Sequence, residues 1–249
     1  MIYVCIRTHN SARTAGLVLW KLRKVFEEFP REYHVLVLDD ASTDDTRETL
    51  EAYQGALPMN VTTRDRIGGY AAGLEGLLRD AADRTDRPKR DLAITLPADF
   101  SVSPAVIPDI VRGFESGADV IVTETMADEE AFGKRLVRQF APWLLRPGVI
   151  VPGIRDFTSG VCGIRLVTLR NCFQDRTERL LASEGPSAFA ELVARAAGQA
   201  RQVVALLAPR LPRATSGTSD IGAVELAVGL LRTGRRVRIA STVQAVRRG

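Results

Sequence analysis

The 249-residue sequence lacks several features that mark common functional classes. No run approaches the roughly 18 consecutive apolar residues that a membrane-spanning helix requires. The N-terminus opens on a strand-like run, Ile2-Tyr3-Val4-Cys5-Ile6, and not on a signal peptide, so we expect a soluble, cytoplasmic protein. The three cysteines show no CxxC spacing, which argues against a zinc site or a disulfide framework.

Aromatic residues are also scarce, at 6%, and no run of basic residues is interleaved with them. Nucleic-acid binding is therefore not indicated. No GxGxxG motif follows a strand-like segment, which argues against a dinucleotide-binding dehydrogenase. The net charge of +4 instead suits phosphate-rich small ligands or an anionic membrane surface.

Strand-like and helical segments alternate through the first half of the chain. Strands are predicted at residues 2–7, 35–38, 61–63, 92–96 and 118–123, with helices at 14–28, 42–53, 68–78 and 104–114. The second half is less regular, with helices at 133–145, 184–197 and 219–232 and a strand at 203–207. This order predicts an α/β fold with a mostly parallel central sheet and helices on both faces.

Polar side chains follow three of these strands, in the loop of residues 7–10, at Asp39-Asp40 and at Asp99. Ligands of such sheets bind at the carboxyl ends of the strands, so we expect these residues to be exposed in one crevice. The crowded carboxylates of Asp39, Asp40 and Asp99 would repel one another, and a divalent cation bridging to diphosphate oxygens would relieve that repulsion.

A calcium loop is the alternative for the same carboxylates. Asp40, Ser42, Asp44 and Glu51 match part of the EF-hand spacing. Asp45 replaces the glycine that this loop requires, and a strand precedes it where the motif has a helix.

The polar loop and the aspartate pair belong to a longer series of motifs. Arg7-Thr8-His9-Asn10, a hydrophobic strand and then Asp39-Asp40-Ala41-Ser42-Thr43-Asp44 resemble the opening of family 2 glycosyltransferases, where a Thr-x-Asn loop precedes Asp-Asp-Gly-Ser. Residues 66–73 resemble the glycine-rich helix start of that family, and residues 96–100 its Asp-x-Asp segment. Residues 156–160 resemble the Asp-x-Thr-Ser-Gly segment of the dolichol-phosphate mannose synthase branch, and Glu191 and Gly217-Thr218-Ser219 its later motifs.

The resemblance implies a GT-A-type nucleotide-sugar-binding fold over residues 1–249, with a donor half at about 1–125 and an acceptor half at about 126–249. It implies sugar transfer from a nucleoside-diphosphate sugar to a polyprenyl phosphate or a small soluble acceptor, assisted by Mg²⁺ or Mn²⁺. The implied donor-binding residues are Thr8, Asn10, Asp39, Asp40, Arg66 and Asp99. Asp99 and Ser101 would hold the metal, Thr158 and Ser159 would lie on the acceptor side, and Asp156 and Glu191 are the candidate catalytic bases.

The sequence departs from the family pattern at the metal and acceptor motifs. Pro97 stands where the first carboxylate of Asp-x-Asp is usual, and Asp220 replaces a lysine of the late motif. Arg210 and Arg213 are near that lysine position but out of register. Two other functions stay open, a nucleotide-sugar-binding protein without catalysis and a sugar-1-phosphate nucleotidyltransferase.

The predicted helix at 133–145 carries Phe140, Trp143 and Leu144 together with Lys134, Arg135 and Arg138. Such a face can lie in a membrane interface, which would make the protein membrane-peripheral. The alternative is a helix that packs on the core and turns a basic face to solvent. The sequence does not give the oligomeric state.

Overall fold

The computed structural model of the chain describes residues 1–126, 132–145, 149–173, 179–209, 211, 222–236, 239–240 and 246–248. Its strands are Ile2–Thr8 (β1), Tyr33–Asp40 (β2), Met59–Arg64 (β3), Leu92–Thr95 (β4), Val120–Met126 (β5), Val149–Ile150 (β6), Cys162–Arg165 (β7), Val203–Pro209 (β8), Ile239–Ala240 (β9) and Val246–Arg248 (β10). Its helices are Ala12–Glu28 (α1), Thr46–Gln54 (α2), Tyr70–Arg84 (α3), Ile107–Glu115 (α4), Phe132–Leu145 (α5), Leu166–Cys172 (α6), Pro186–Gln199 (α7) and Ala223–Arg236 (α8), with a 3-10 turn at Pro104–Val106.

Eight strands form one sheet in the order β10-β8-β5-β7-β4-β1-β2-β3, and β6 pairs with β9 separately. All neighbours in the large sheet are parallel except β7, which runs antiparallel to both β4 and β5. The predicted α/β fold with a mostly parallel sheet is therefore confirmed. The division of the chain into a donor half and an acceptor half stays a prediction.

Two hydrophobic cores cover the two faces of the sheet. Helices α1, α2 and α4 pack on one face, and α3, α5, α6, α7 and α8 contribute to the core on the other. Side chains of β2 alternate between them, since Val35 and Val37 enter the first core and Leu36 and Leu38 the second. This alternation is the period-2 geometry of any strand, and it determines how β2 presents the residues at its end.

The helices and strands of the second half of the chain differ most from those predicted. The short strand β7 and helix α6 were not predicted, nor were β6, β9 and β10. Helix α3 continues to Arg84, six residues beyond its predicted end. The last helix is Ala223–Arg236, and the first three residues of its predicted range lie outside the described part of the chain.

The loops after β1 and β2 hold each other in place. The Asn10 N–H donates to Ser42 Oγ at 2.9 Å, and Asn10 Oδ1 accepts the Thr43 N–H at 2.8 Å. The Ala12 N–H at the start of α1 donates to Asp44 Oδ2 at 3.1 Å. Asp45, the N-cap residue of α2, makes no side-chain cap, and Ser42 donates to Asp39.

Ala41 lies in the left-handed region, with φ of +58°, at the position where the family pattern has glycine. A Cβ is unfavourable in this region, and glycine is not penalised there. We expect Ala41→Gly to raise the free energy of unfolding by about 1 kcal/mol in urea titrations. Ala52→Gly, at an exposed position of α2, is the control and should lower it by about 1 kcal/mol. A loss of stability in Ala41→Gly would contradict this assignment of strain.

Candidate functional site

The carboxyl ends of β1, β2 and β4 lie side by side, with Thr8 in register with Asp39. Strand β7 brings a further segment to this edge, because an antiparallel strand begins where its parallel neighbours end. Thr95 Oγ1, on the last residue of β4, donates to Gly160 O at 2.9 Å and accepts the Cys162 N–H at 3.0 Å. The residues just before β7 therefore meet the β4 end that leads to Asp99.

Asp40 is buried on the α3 face of the sheet, among two guanidinium groups. Arg7 Nη2 donates to Asp40 Oδ2 at 2.6 Å, and Arg64 Nη1 lies 3.4 Å from Oδ1, which also accepts the Gly68 N–H at 2.9 Å. Burial raises the pKa of Asp40, but the Gly68 amide and the two arginines outweigh it, so the pKa lies below its usual value. The carboxylate is therefore ionised and fully paired.

The glycines that open α3 allow this arrangement. Gly69 has φ of +90°, which favours glycine. A Cβ on Gly73 would lie 2.8 Å from Cδ of Arg7, so glycine at this position lets the arginine pass across the helix to Asp40.

The guanidinium of Arg7 also lies 5.9 Å from the ring centroid of Tyr70. Burial raises the pKa of Tyr70, and the nearby thiol of Cys162 and the carboxylate of Asp99 add to the rise.

Asp39 points to the opposite face, on the side of α1. Its Oδ1 accepts hydrogen bonds from Ser42 Oγ and, at 3.4 Å, from Thr8 Oγ1. Its Oδ2 is buried and has no hydrogen-bond partner among the described residues. Buried carboxylate oxygens are normally paired, so this atom is available to an N–H donor of a ligand. The expectation of three exposed carboxylates in one crevice is wrong, because Asp39 and Asp40 are both buried and lie on opposite faces.

The other residues expected to bind the donor differ in how far the protein already uses them. Thr8 is buried and donates to Leu38 O at 3.2 Å, and Asn10 uses its side-chain oxygen to hold Thr43. Arg66 is exposed and makes no hydrogen bond or ion pair within the described part of the chain. Its charge is thus available to a phosphate. The donor-binding roles of all three stay predictions.

The oxygen donors at Asp99 fit a metal only in part. Asp99 Oδ1 accepts the Ser101 N–H at 2.9 Å, and Ser101 itself is buried. Pro97 removes the second carboxylate, and among the described residues no three His, Cys, Asp or Glu side chains converge on a metal site. One carboxylate suits a cation whose remaining ligands are phosphate oxygens and water. Asp99 therefore fits a metal that arrives together with a diphosphate.

The calcium-loop alternative is wrong, because its first two carboxylates already have partners within the protein. Asp40 is paired with arginines, and Asp44 caps the starts of α1 and α2 through Ala12 and Thr46. Neither carboxylate is available to a shared cation.

The segment before β7 is held through Asp156. Its Oδ2 accepts the N–H of Thr125 at 3.1 Å and the Thr125 hydroxyl at 2.9 Å. Its Oδ1 accepts the Thr158 N–H at 2.8 Å and the Thr158 hydroxyl at 2.9 Å. Ser159 is buried and bonds to Val161 within its own turn. Asp156 thereby fixes this segment to the end of β5, and the roles of Asp156, Thr158 and Ser159 toward an acceptor stay predictions.

Glu191 is fully buried on α7. Its Oε2 accepts the N–H groups of Ala182 and Ser183, each at 3.0 Å, and its Oε1 pairs with Arg195 at 2.8 Å. These bonds place Glu191 in a structural network, and its role as a catalytic base stays a prediction.

Three side chains at this edge carry roles that the sequence did not reveal: Arg7, Arg64 and Glu184. Arg7 adjoins the Thr8-x-Asn10 motif, but its approach to Gly73 depends on how α3 packs on the sheet, which the sequence pattern does not specify. Glu184 Oε2 accepts the Ala71 N–H at 3.1 Å, across 113 residues of sequence, and no local pattern predicts that contact.

Comparisons with known proteins agree with this geometry. The sequence matches the family model described as Glycosyl transferase family 2 over residues 3–173. It is 27% identical over 126 residues to the undecaprenyl-phosphate 4-deoxy-4-formamido-L-arabinose transferase of Aeromonas hydrophila, covering 49% of this chain and 36% of that protein. It is 24% identical over 167 residues to the dolichol-phosphate mannosyltransferase of Pyrococcus furiosus, covering 65% and 44%. The matches thus span less than half the length of these relatives.

Solved structures share the fold. Glucosyl-3-phosphoglycerate synthase from Mycobacterium tuberculosis, in complex with Mn²⁺, UDP-glucose and phosphoglyceric acid, has a TM-score of 0.62 and 16% identity, covering 95% of this chain and 80% of that one. S. aureus TarS 1-349 in complex with UDP-GlcNAc has a TM-score of 0.56 and 16% identity, covering 85% and 59%. The predicted GT-A-type fold is confirmed.

Asp40→Asn tests the buried cluster. At pH 7 the change leaves Arg7 and Arg64 without their carboxylate, and we expect the free energy of unfolding to fall by about 3 kcal/mol. Folding lowers the pKa of Asp40. The stability that its carboxylate contributes is therefore fully present above an unfolded pKa of about 4, and it is lost as the pH falls through the lower pKa of the folded state. The difference between wild type and Asp40→Asn should therefore shrink toward about pH 2.5 in urea titrations.

Asp65→Asn is the matched control, because Asp65 is exposed on the loop that follows β3. It should change the stability little at either pH. A stability difference for Asp40→Asn that stays constant as the pH falls would contradict the pairing described above.

Proposed function

Because the chain belongs to glycosyl transferase family 2, we propose that it transfers a sugar from a nucleoside-diphosphate sugar to an acceptor. The observation that carries this proposal is the buried Oδ2 of Asp39, which has no hydrogen-bond partner within the described part of the chain and lies at the edge that also holds Asp99. A carboxylate oxygen of this kind suits the ring N–H of a nucleobase such as uracil or guanine, which donates a hydrogen bond.

The remaining donor groups follow from their places at the edge. Asp99 would bind a divalent cation whose other ligands include the diphosphate oxygens. Arg66, which has no ion-pair partner among the described residues, offers a positive charge beside the glycine-rich turn. Such a cation would stabilise the charge that develops on the departing diphosphate. Mg²⁺ and Mn²⁺ both suit carboxylate and phosphate oxygens. The M. tuberculosis synthase structure holds Mn²⁺ together with UDP-glucose, which supports the same assignment in this chain.

A polyprenyl phosphate is the acceptor that we favour. A phosphate is already anionic and needs no strong base, whereas a hydroxyl acceptor needs one within hydrogen-bond reach. Both candidate bases, Asp156 and Glu191, already accept hydrogen bonds on each oxygen. The names of the Aeromonas and Pyrococcus relatives include undecaprenyl phosphate and dolichol phosphate, which supports a lipid-linked acceptor.

A small water-soluble acceptor is the second candidate, since the M. tuberculosis synthase structure contains phosphoglyceric acid. The late motif at 217–220 and the cations Arg210 and Arg213, which bear on this choice, lie outside the described residues.

Helix α5 supports a lipid-linked acceptor. It buries Ala141 and Leu145 in the core and exposes Leu136, Phe140 and Trp143 at i, i+4 and i+7, with Trp143 66% exposed. The side chains of Lys134, Arg135 and Arg138 lie outside the described part of the structure. An exposed apolar stripe of this kind suits a membrane interface. Within the described residues, no helix is both long and apolar enough to span a bilayer.

Nucleotide binding tests the proposed donor. We expect UDP or GDP with Mn²⁺ to raise the melting temperature of the wild type, because a ligand that binds only the folded state stabilises it. Asp39→Asn should weaken that binding by about tenfold in isothermal titration, because it replaces the accepting carboxylate. If the wild type binds no nucleoside diphosphate or nucleotide sugar, the proposed function is wrong.

The metal arm of this experiment uses Asp99→Asn. The variant should lose most of the extra stabilisation that Mn²⁺ gives to the nucleotide complex, while its binding without metal stays near that of the wild type. Equal Mn²⁺ effects in both proteins would show that Asp99 does not hold the metal. Bound nucleotide sugar without transfer or hydrolysis would favour the binding protein that has lost catalysis.

Membrane contact tests the lipid acceptor. In low-salt sedimentation with phosphatidylglycerol vesicles, we expect Phe140→Ser with Trp143→Ser to weaken binding by about fivefold or more. Trp20→Ser is the matched control, because Trp20 is similarly exposed, at 48%, on the other face of the sheet. Two outcomes would overturn the lipid-linked acceptor. One is an equal loss of vesicle binding in both variants, and the other is a wild type that neither binds vesicles nor uses polyprenyl phosphate.

A further inference from the structure

Residues 181–184, here called the strap, precede α7 and are fixed through carboxylates. Glu75 Oε2, on α3, accepts the Leu181 N–H at 3.1 Å. Glu191 Oε2, on α7, accepts the next two N–H groups of the strap, each at 3.0 Å. Glu184 then extends back from the strap and accepts the Ala71 N–H at 3.1 Å. The strap is therefore bonded to α3 at two points of that helix.

The three glutamates differ in burial. Glu75 and Glu191 are buried and each pairs with an arginine on its own helix, which makes them parts of the folded core. Glu184 is exposed, and its contact with Ala71 is not needed to satisfy a buried charge. A change at Glu184 can thus alter the start of α3 without a large loss of stability.

The start of α3 has no cap of its own. Gly69 is the N-cap residue and has no side chain, and the first turn contains no acidic residue. The carboxylate of Glu184 fills this place from a distant part of the chain. Its oxygens lie 3.0 and 3.2 Å from the position that a Cβ of Gly69 would occupy, so glycine at this position permits the close approach.

The turn that Glu184 holds is also part of the edge of the sheet at which Asp39, Asp40 and Asp99 lie. The Gly68 N–H donates to Asp40 at 2.9 Å, and the ring of Tyr70 lies beside the guanidinium of Arg7. Residues 68–71 are thus held from the sheet side by Asp40 and from the strap side by Glu184. Loss of either contact frees one end of the turn.

We propose that Glu184 is a positioning residue, which holds the glycine-rich turn in the conformation that binds the nucleotide donor. This inference rests on the proposed function. The amides at the start of a helix often bind a phosphate, but here a carboxylate of the same chain occupies that place. Glu184 therefore acts on the donor through the positions of Gly68 and Tyr70 and not through contact with its phosphates.

The test compares Glu184→Ala with Glu184→Gln. The amide oxygen of glutamine can still accept the Ala71 N–H, so Glu184→Gln should retain the contact that Glu184→Ala removes. Glu48→Ala is the control, because Glu48 is an exposed glutamate in the first turn of another helix, α2. Hydrogen exchange of the peptide covering residues 66–74 measures the turn in the ligand-free protein, and titration with UDP and with GDP, each with Mn²⁺, measures the donor site.

We expect Glu184→Ala to speed exchange of the 66–74 peptide and to weaken nucleotide binding by about tenfold, with Glu184→Gln and Glu48→Ala close to the wild type. Unchanged exchange in Glu184→Ala overturns the inference, whether or not nucleotides bind. Faster exchange with unchanged affinity overturns it too, since the contact would then be structural only. A wild type that binds neither nucleotide refutes the proposed function and the donor role of Glu184 with it, while the exchange data still report whether Glu184 holds the turn.

Discussion

The carboxylate of Asp40 has no contact with solvent, yet it lies against the guanidinium groups of Arg7 and Arg64. A buried charge of this kind is tolerated only when its partners remain in place. Arg7 reaches it across Gly73, and the Gly68 amide completes the set. The ends of β1, β2 and β3 and the start of α3 are therefore fixed to one another by a single ionised group, and this edge of the sheet is built around it.

The adjacent carboxylate has a different environment because strand side chains alternate. Asp40 faces α3 and is fully paired, whereas Asp39 faces α1 and keeps one oxygen without a partner among the described residues. The motif alone identified both as site residues. Strand alternation could have separated their faces, but the pairing of Asp40 with Arg64 depends on the path of β3, which the sequence pattern does not specify.

The fold was predictable where hydrophobic runs are long and turn signals are clear, as in β1, β2 and α1. It was not predictable at β7, because four residues beginning Cys162-Gly163 pass directly into α6 without a turn signal. Its antiparallel direction depends on pairing with β4 and β5, which lie far away in sequence. The contact of Glu184 with Ala71 and those of Glu191 with the strap depend on the same kind of tertiary packing, so no local pattern specifies them.

The position of β7 also limits how the molecule can move. A strand from the second half of the chain lies between β4 and β5, two strands of the first half, and is hydrogen-bonded to both. The two halves cannot separate like the lobes of a hinged clamp without breaking these ladders. Any opening of the carboxyl edge must therefore come from movement of its loops, while the sheet beneath them stays intact.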